Sequence, residues 1–277
     1  MAELPGLSTA PLGRSTPYPD HYDPGLLHPI ARAEGRSALD GSAVSVMRGA
    51  DLWVAYELSW LSLRGMPRVA VAEIEVPSDS PRLVESKSLK LYLNSLNQTG
   101  FATVDAVRSC LETDLAACCD ASVGVRIHEL RDFAVQPLTL PPGFCLDDLD
   151  LEQMPTNPCP ERLCTLPGGV TEELLYSDLL KTNCPVTGQP DWATLMVAHR
   201  GRPLDRAGLL AYIVSLRHHQ DFHEHCVEQI FCELWQRLEP EALTIAARYT
   251  RRGGIDINPW RSSDPDATMP CGRLVRQ

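Results

Sequence analysis

The segment 182–192, Thr-Asn-Cys-Pro-Val-Thr-Gly-Gln-Pro-Asp-Trp, places an aspartate seven residues after a cysteine. A residue before proline is disfavoured inside a helix, and Thr-Gly-Gln-Pro is typical of a loop, where reactive side chains can face a ligand. Cys184 is therefore a candidate nucleophile and Asp191 its candidate proton donor. The alternative is that Cys184 is a small buried apolar residue and that Asp191 belongs only to a turn before a strand.

A cluster of histidines between 218 and 225 strengthens the nucleophile hypothesis, since a catalytic cysteine needs a histidine elsewhere in the chain. Asp221 is predicted to be the N-cap of a helix. Phe222, His223 and Glu224 would then lie in its first turn, where unpaired backbone N–H groups favour an anion or a carboxylate. Apolar residues later in this segment recur at helical spacing and are predicted to form core.

A zinc site is disfavoured by the spacing of the cysteines and histidines. His223 and Cys226 form one isolated i, i+3 pair, and the chain has neither a CxxC nor an HExxH motif. Cys159 and Cys164 do not complete a ligand set. We therefore expect no bound metal.

Two basic clusters are candidates for binding an anion. Lys87 and Lys90 lie three residues apart on one face of a predicted helix, where a phosphate between them would remove their mutual repulsion. Arg251 and Arg252 precede Gly253 in an Arg-Arg-Gly-Gly turn; guanidinium groups bind phosphate oxygens in pairs, and glycine lets a ligand approach the backbone. The alternatives are a solvated helix face and a solvated hairpin loop. No GxGxxG motif or P-loop is present.

The elements that position these residues occur in the same order in each half of the chain: strand, strand, helix, helix, strand. The predicted elements are strands at 52–60, 69–76 and 123–130 with helices at 88–96 and 104–117, then strands at 174–180, 192–199 and 243–249 with helices at 205–216 and 222–238. This order predicts an α+β protein with two similar modules. We place an irregular, proline-rich arm at 1–45, the modules at 46–135 and 169–277, and a connector at 136–168.

The composition narrows the class of protein. The chain has 277 residues, 44% of them hydrophobic, and a net charge of −11, which opposes direct binding to nucleic acid. Ten cysteines without a signal peptide indicate a reducing cytoplasm, and no stretch approaches the roughly 20 apolar residues of a membrane span. We expect a soluble cytoplasmic protein.

These segments together resemble the bimodular NADPH-dependent 7-cyano-7-deazaguanine reductases, the nitrile reductases of queuosine biosynthesis, a tRNA modification. The family signature Glu-Ser-Lys-Ser-apolar-Lys-Leu-Tyr is matched from Glu85 to Tyr92. Further matches are at 18–23, 183–184, 189–192, 222–224 and 251–254, so that the resemblance covers nearly the whole chain. It implies tandem tunnelling-fold (T-fold) modules with antiparallel sheets and paired helices, a site assembled across modules, and a homodimer or larger assembly.

The resemblance implies reduction of a nitrile to a primary amine with two hydrides from two NADPH. Cys184 would add to the nitrile carbon to give a thioimide, and Asp191, shielded from water, would protonate the nitrogen. His223 would donate a later proton or orient the others.

For substrate recognition, the resemblance implies that Glu85 and Glu224 accept the N–H groups of the deazaguanine, with Ser86 beside them and Phe222 as a stacking face. The residues implied to hold NADPH, chiefly through its phosphates, are Ser86, Lys87, Lys90, Arg251, Arg252 and Gly253.

Several hypotheses remain open on the sequence. Cys184 and Cys226 are predicted to form a reversible protective disulfide, the alternative being that Cys226 is a buried core cysteine. The rival functions are a zinc-dependent cyclohydrolase of the same fold group, a non-catalytic deazapurine-binding protein, and, with least support, a papain-type hydrolase.

Overall fold

The computed structural model describes residues 18–134, 137–151 and 153–277. They divide into two compact units, and each unit is built from separated pieces of the chain. Unit 1 contains the described residues of Met1–Ser37, Asp51–Pro137 and Arg251–Ile257. Unit 2 contains those of Ala38–Ala50, Leu138–Thr250 and Asn258–Gln277.

Strands and helices are interspersed along the described chain. In order they are β1 (Pro29–Ala31), α1 (Arg32–Arg36), α2 (Gly41–Val46), β2 (Arg48–Ser62), β3 (Pro67–Pro77), β4 (Arg82–Val84), α3 (Ser86–Ser95), β5 (Gly100–Phe101), α4 (Val104–Cys119), β6 (Gly124–His128), α5 (Leu130–Ala134), β7 (Phe144–Cys145), β8 (Thr171–Asn183), β9 (Pro190–Gly201), α6 (Arg206–Ser215), α7 (His223–Leu238), β10 (Ala242–Tyr249) and β11 (Ile255–Ser262). Short 3₁₀ turns lie at Pro24–Leu26, Pro160–Arg162 and Leu216–His218.

Unit 1 packs α3 and α4 against a sheet in the order β6-β3-β2. Along β3, Ala72, Ile74 and Val76 are buried while the glutamates between them are less so, because side chains of a strand alternate between its faces. On α4, Val107, Leu111 and Leu115 recur every four residues and lie in the same core. This packing fixes α3, which carries the Glu-Ser-Lys-Ser segment.

Unit 2 packs α6 and α7 against strands in the order β11-β10-β9-β8-β7, and β11 contributes to it from residue 258 onward. Strands β8 and β9 form a long antiparallel hairpin, with a register shift between Ser177 and Leu180. Strand β10 pairs along its whole length with residues 193–200 of β9. Beneath α7, the Glu228 carboxylate accepts hydrogen bonds from Arg261 of β11 at 2.8 and 3.1 Å, with both side chains fully buried. Because removing one member of such a pair strands a buried charge, it ties α7 firmly to the sheet.

The predicted α+β class and the repeated element order are confirmed: β2, β3, α3, α4 and β6 in unit 1, and β8, β9, α6, α7 and β10 in unit 2. This is the order expected of paired tunnelling-fold modules. Strand β11 was missed, because its sequence follows directly on the arginine–glycine turn.

The predicted irregular arm needs correction over its described part. Residues 18–45 contain β1, α1 and α2, and the Asp40 carboxylate caps α2 by accepting from the Ala43 N–H at 3.0 Å. Prolines limit element length there but do not prevent short elements between them. The first 17 residues of the arm lie outside the described residues.

The two units also take in segments from outside the predicted modules. Residues 138–168 of the connector belong to unit 2, and Arg251–Ile257 belongs to unit 1. This arises because residues far apart in sequence contact one another: within unit 1, the Tyr56 N–H donates to the Gly254 carbonyl at 2.9 Å. As divisions of the sequence, 46–135 and 169–277 remain predictions. Within the described ranges, no helix combines the length and apolar character required to cross a membrane.

His199 on β9 makes the stability of unit 2 depend on pH. It is buried, and within the described chain neither ring nitrogen has a hydrogen-bond partner. Burial lowers the pKa of His199 below its usual value, against the opposing charge of Glu173. In the unfolded chain, His199 binds a proton as the pH falls through about 6.5, whereas in the folded protein it stays neutral at that pH. The free energy of unfolding is therefore unaffected by His199 above about pH 6.5 and decreases as the pH falls below it.

We therefore expect the advantage in unfolding temperature of His199→Leu over the parent protein to grow as the pH is lowered from about 7.5 to about 5.5. Thermal unfolding followed by circular dichroism at both pH values measures this. The matched control is His218→Leu, because His218 is exposed. An equal change with pH in both variants would contradict the assignment to His199.

Candidate active site

Cys184 opens the tight turn that joins β8 to β9. Its N–H donates to the Gln189 carbonyl at 2.9 Å, and the Gly188 N–H donates to the Cys184 carbonyl at 3.0 Å. Gly188 adopts a φ of +67°, a left-handed conformation that glycine takes without strain. The predicted loop is thus a closed hairpin turn, and the cysteine at its first position is only 3% exposed.

Hydrogen bonds fix this turn to the segment that enters α7. The Asn183 N–H donates to the His219 carbonyl at 2.8 Å, and the Asp221 N–H donates to the Asn183 carbonyl at 3.3 Å. Lys181 Nζ donates to Asn183 Oδ1 and to the Arg217 carbonyl, each at 2.7 Å. Asn183, the residue before the candidate nucleophile, is therefore held in place by hydrogen bonds of both its backbone and its side chain.

Asp191 and His223, two of the predicted site residues, are in contact. His223 Nε2 lies 3.3 Å from Asp191 Oδ2, and the Asp191 side chain is 6% exposed. The His223 ring stacks on the ring of Tyr249 of β10, with centroids 3.8 Å apart and planes 10° from parallel. Unit 2 thus brings the second strand of the hairpin, the start of α7 and the end of β10 together.

Tyr249 is a site residue that the sequence analysis missed. Its strand position opposite Ala193, two residues after Asp191, is set by the register of β9 and β10. A tyrosine at the end of an apolar strand gives no signal of its own. Burial, with the neighbouring Cys226, raises the pKa of Tyr249 well above its usual value, so its ring presents a neutral face to His223.

The start of α7 corrects one prediction. The helix begins at His223 with Phe222 as N-cap residue, not Asp221. Asp221 instead accepts from the Phe222 N–H at 2.7 Å and lies 3.3 Å from His225 Nδ1. The Asp221 N–H donates to the Asn183 carbonyl at the end of β8, and the helix begins one residue later than predicted. Glu224 remains in the first turn and is buried, as is Phe222.

In unit 1, Glu85 has a local role that the sequence analysis did not anticipate. It is the N-cap of α3, and its two carboxylate oxygens accept from the Lys87 N–H at 2.6 Å and the Ser88 N–H at 2.9 Å. Ser86 Oγ lies 3.5 Å from one of these oxygens. The side chain is fully buried, and each carboxylate oxygen retains lone-pair capacity for a further donor.

Lys90 and the arginine–glycine turn also meet within unit 1. Gly253 has a φ of +61°, and a Cβ at that position would lie 3.0 Å from Lys90 Nζ. The Arg251 guanidinium lies over the Tyr56 ring, 4.4 Å from its centroid. Lys87 and Arg252 are half-buried. Lys90 of the first basic cluster and Gly253 of the second are thus neighbours in this unit.

One cavity lies away from the predicted residues. A cavity of about 710 Å³ in unit 1, lined in part by Trp60, Arg68 and Phe101, contains none of them. Among the described residues, no group of three or more histidine, cysteine or acidic side chains is arranged to hold a metal ion.

The disulfide between Cys184 and Cys226 stays a prediction, and both residues are free thiols here. Burial raises the pKa of Cys226 to about 12, so it is protonated at neutral pH. The expected route starts with oxidation of Cys184 by peroxide to the sulfenic acid, which condenses with the Cys226 thiol and releases water. Non-reducing peptide mass spectrometry after peroxide treatment should find the linked peptides, and Cys226→Ser should lack them. Their absence from the oxidised parent protein removes the hypothesis.

Family models match both halves of the chain. Residues 18–127 match a model described as nitrile reductase, 7-cyano-7-deazaguanine-reductase N-term, and residues 190–268 match one described as QueF-like protein. Among solved structures, that of the archaeosine synthase QueF-Like in the apo form has a TM-score of 0.30 and 12% identity, covering 35% of this chain and 95% of that chain.

Curated relatives are similar over almost their full length. A protein of Bordetella parapertussis is 53% identical, covering 98% of this chain and 99% of the relative. Proteins of Chromohalobacter salexigens and Dechloromonas aromatica are 51% and 49% identical, covering 98% and 97% of this chain and 98% and 95% of the relatives. All three are named NADPH-dependent 7-cyano-7-deazaguanine reductase. The chain therefore belongs to the NADPH-dependent 7-cyano-7-deazaguanine reductase family.

Proposed function

We propose that this protein reduces the nitrile of 7-cyano-7-deazaguanine to the primary amine of 7-aminomethyl-7-deazaguanine with NADPH. The observation that carries the proposal is the contact between buried Asp191 and His223, in the unit whose hairpin turn presents Cys184. A nucleophile, an acid and an orienting histidine are what addition to a nitrile needs. The names of relatives up to 53% identical support the same reaction.

Cys184 forms the covalent intermediate in this mechanism. Its thiolate adds to the electrophilic nitrile carbon, a C–S bond forms, and the nitrogen takes a proton to give the thioimide. Once the carbon has gained a hydride, the C–S bond breaks and the thiolate leaves an imine, which a second hydride and a proton convert to the amine. NADPH, when bound, supplies each hydride. The clamped turn holds the sulfur in one place for both the forming and the breaking of its bond.

Asp191 is the proposed acid for the nitrile nitrogen. The proton has to reach the nitrogen as negative charge develops there, so the donor must lie close and out of bulk water. Its 6% exposure fits that need. His223 orients Asp191 through Nε2, and Tyr249 fixes the plane of the imidazole by stacking. His223 Nδ1 is buried without a hydrogen-bond partner among the described residues, and we assign it to a substrate-facing contact in the later proton steps.

Substrate recognition is proposed for acidic and aromatic side chains at two helix starts. In unit 2, Glu224 would accept N–H groups of the deazaguanine and Phe222 would stack on its ring. On the family resemblance, Glu85 and Ser86 of unit 1 are also proposed as substrate-binding residues. Both glutamates are buried, and a hydrogen bond to a ligand is stronger in such a low-dielectric environment than in water.

The NADPH phosphates are proposed to bind Ser86, Lys87, Lys90, Arg251, Arg252 and Gly253. The fit rests on Gly253, which lies beside the Lys90 ammonium. Because glycine has no side chain, a phosphate could contact both this ammonium and the backbone of the turn. Guanidinium and ammonium groups complement phosphate oxygens, and backbone N–H groups add neutral donors. We further propose, on the family resemblance, a cytoplasmic homodimer without direct nucleic-acid contact.

The test is an NADPH oxidation assay with 7-cyano-7-deazaguanine, with the amine product quantified by mass spectrometry. We expect two NADPH consumed for each amine formed and no oxidation when the nitrile is omitted. Treatment with a metal chelator should leave the rate unchanged, which distinguishes this function from the zinc cyclohydrolase. Ligand binding without NADPH consumption would instead identify a non-catalytic deazapurine-binding protein.

A further inference from the structure

The segment Tyr18–Asp23 is attached to α3 and the residues that follow it. Asn94 Nδ2 donates to the Pro19 carbonyl at 2.9 Å, and the Asp23 N–H donates to Ser95 Oγ at 3.2 Å. The Tyr22 N–H donates to Thr99 Oγ1, also at 3.2 Å. Three separate contacts over five residues hold this strap, as we call Tyr18–Asp23, along the helix that carries Lys90.

Asp114 of α4 joins the strap to both helices. It accepts from the Tyr22 hydroxyl at 2.7 Å and from the Tyr92 hydroxyl of α3 at 2.5 Å. The rings of Tyr22 and Tyr92 meet edge to face with centroids 6.4 Å apart. Burial and the Asp114 carboxylate raise the pKa of Tyr92 above its usual value, so both hydroxyls remain donors. One carboxylate thus fixes the strap relative to α3.

The strap places Tyr18 in the wall of a cavity of about 260 Å³ in unit 1. Tyr18 itself is 75% exposed and its hydroxyl makes no hydrogen bond within the described residues, so it contributes little to the core. The remaining lining combines the apolar residues Ala55, Leu93 and Ile255 with polar side chains and a glycine turn, namely Glu57, Lys90, Asn94, Asn97, Gly253 and Gly254. An exposed aromatic ring over such a lining is arranged for a ligand with a ring and polar substituents.

We propose that Tyr18 is a binding residue for the nicotinamide dinucleotide, held in position by the strap through Asp114. This inference rests on the proposed function, and it deepens that function by adding a wall to the cofactor site. The volume admits one ring-and-ribose portion of the dinucleotide, not the whole molecule. Tyr18 supplies a stacking face to the ring.

The polar lining divides by charge in a way that fits this portion. The Lys90 ammonium faces the glycine turn, where a phosphate would meet both a cation and backbone N–H groups. Glu57 lies against Gly254, where a Cβ would come within 2.4 Å of its carboxyl carbon. A carboxylate there repels phosphate but accepts hydrogen bonds from ribose hydroxyls. The phosphate is therefore assigned to the Lys90 side and the ribose to the Glu57 side.

The test compares Tyr18→Ala, Tyr18→Phe and Tyr22→Phe with the full-length parent protein. Stacking of a ring on an aromatic side chain contributes enough that Tyr18→Ala should raise the KM for NADPH roughly tenfold. Its KM for the nitrile should stay within about twofold, and Tyr18→Phe should restore the KM for NADPH. Tyr22→Phe loses the hydrogen bond to Asp114 but leaves the cavity lining intact. It should raise the KM for NADPH by a few fold, because the strap then holds Tyr18 less firmly in place. Phe144→Ala, an exposed aromatic of unit 2, is the matched control.

A measurement without turnover separates this inference from the reductase assignment. NADP⁺ titrated into each variant by calorimetry should bind Tyr18→Ala roughly tenfold more weakly than the parent. Equal affinity for parent and Tyr18→Ala overturns the role of Tyr18 even if the protein reduces the nitrile. Equal rises in both KM values overturn it too, since a general loss of structure would do the same. If the parent binds NADP⁺ and Tyr18→Ala does not, the inference stands even where the nitrile is not reduced.

Discussion

Replacing Cys184 with alanine is expected to abolish the covalent adduct with 7-cyano-7-deazaguanine and to lower turnover by at least about 10³-fold, as deletion of a catalytic nucleophile does. Without the thiol, a hydride would have to add directly to the nitrile, and the two easier steps provided by the thioimide are lost. Binding of the nitrile should change little, because the proposed recognition residues are elsewhere. Mass spectrometry of the protein mixed with nitrile detects the adduct, and NADPH oxidation measures turnover.

The matched control for Cys184→Ala is Cys164→Ala. Cys164 is an exposed cysteine of the same unit, and its removal should leave both adduct and rate unchanged. If Cys184→Ala retained full activity while Cys164→Ala did too, the thioimide mechanism would be wrong. If both lost activity, the effect would report general sensitivity of the fold to cysteine loss.

Asp191→Asn is expected to keep the substrate bound and to slow adduct formation by about 10²- to 10⁴-fold, the usual contribution of a positioned acid. Asparagine has nearly the same shape and offers an amide to His223 Nε2 in place of the carboxylate. It has no acidic proton to give to the nitrile nitrogen, so the developing charge is no longer neutralised. Rapid-mixing measurement of thioimide formation isolates this step from hydride transfer.

Asp178→Asn provides the comparison for the aspartate variant. Asp178 lies on β8, where it contacts Thr194 and Arg276 on the part of the hairpin away from the Cys184 turn. Its amide variant should form the adduct at the parental rate. Should Asp191→Asn form the adduct as fast as Asp178→Asn, the acid must be another group, and His223 becomes the next residue to substitute.

The sequence predicted the helices and strands better than the side-chain contacts between them. Pro185 and Gly188 mark the turn that carries Cys184, and the apolar spacing in 226–235 defines α7, since both are local signals. The contact between Asp191 and His223 depends on where β8 clamps the helix entry. That clamp runs through Asn183 and Asp221, residues whose types allow many other roles.

The roles of Glu85 and Tyr249 show the same limit. A glutamate before Ser-Lys-Ser is compatible with ligand binding or with a helix cap, and the structure shows the cap directly. The stacking of Tyr249 on His223 requires the register of two strands and the start of a helix to agree. Such coincidences arise from tertiary packing, which overrides local preference.

The division of each unit among separated segments affects how the chain folds as it is synthesised. Unit 1 needs Arg251–Ile257, including Asp256, whose carboxylate accepts from the Tyr56 hydroxyl at 2.5 Å. The ribosome reaches Ile257 only 120 residues after Pro137 (257 − 137 = 120). At usual synthesis rates this takes roughly 6–24 s. During that time we expect the nascent unit 1 to leave exposed the apolar surface that Ile255 and Ile257 cover in the folded protein.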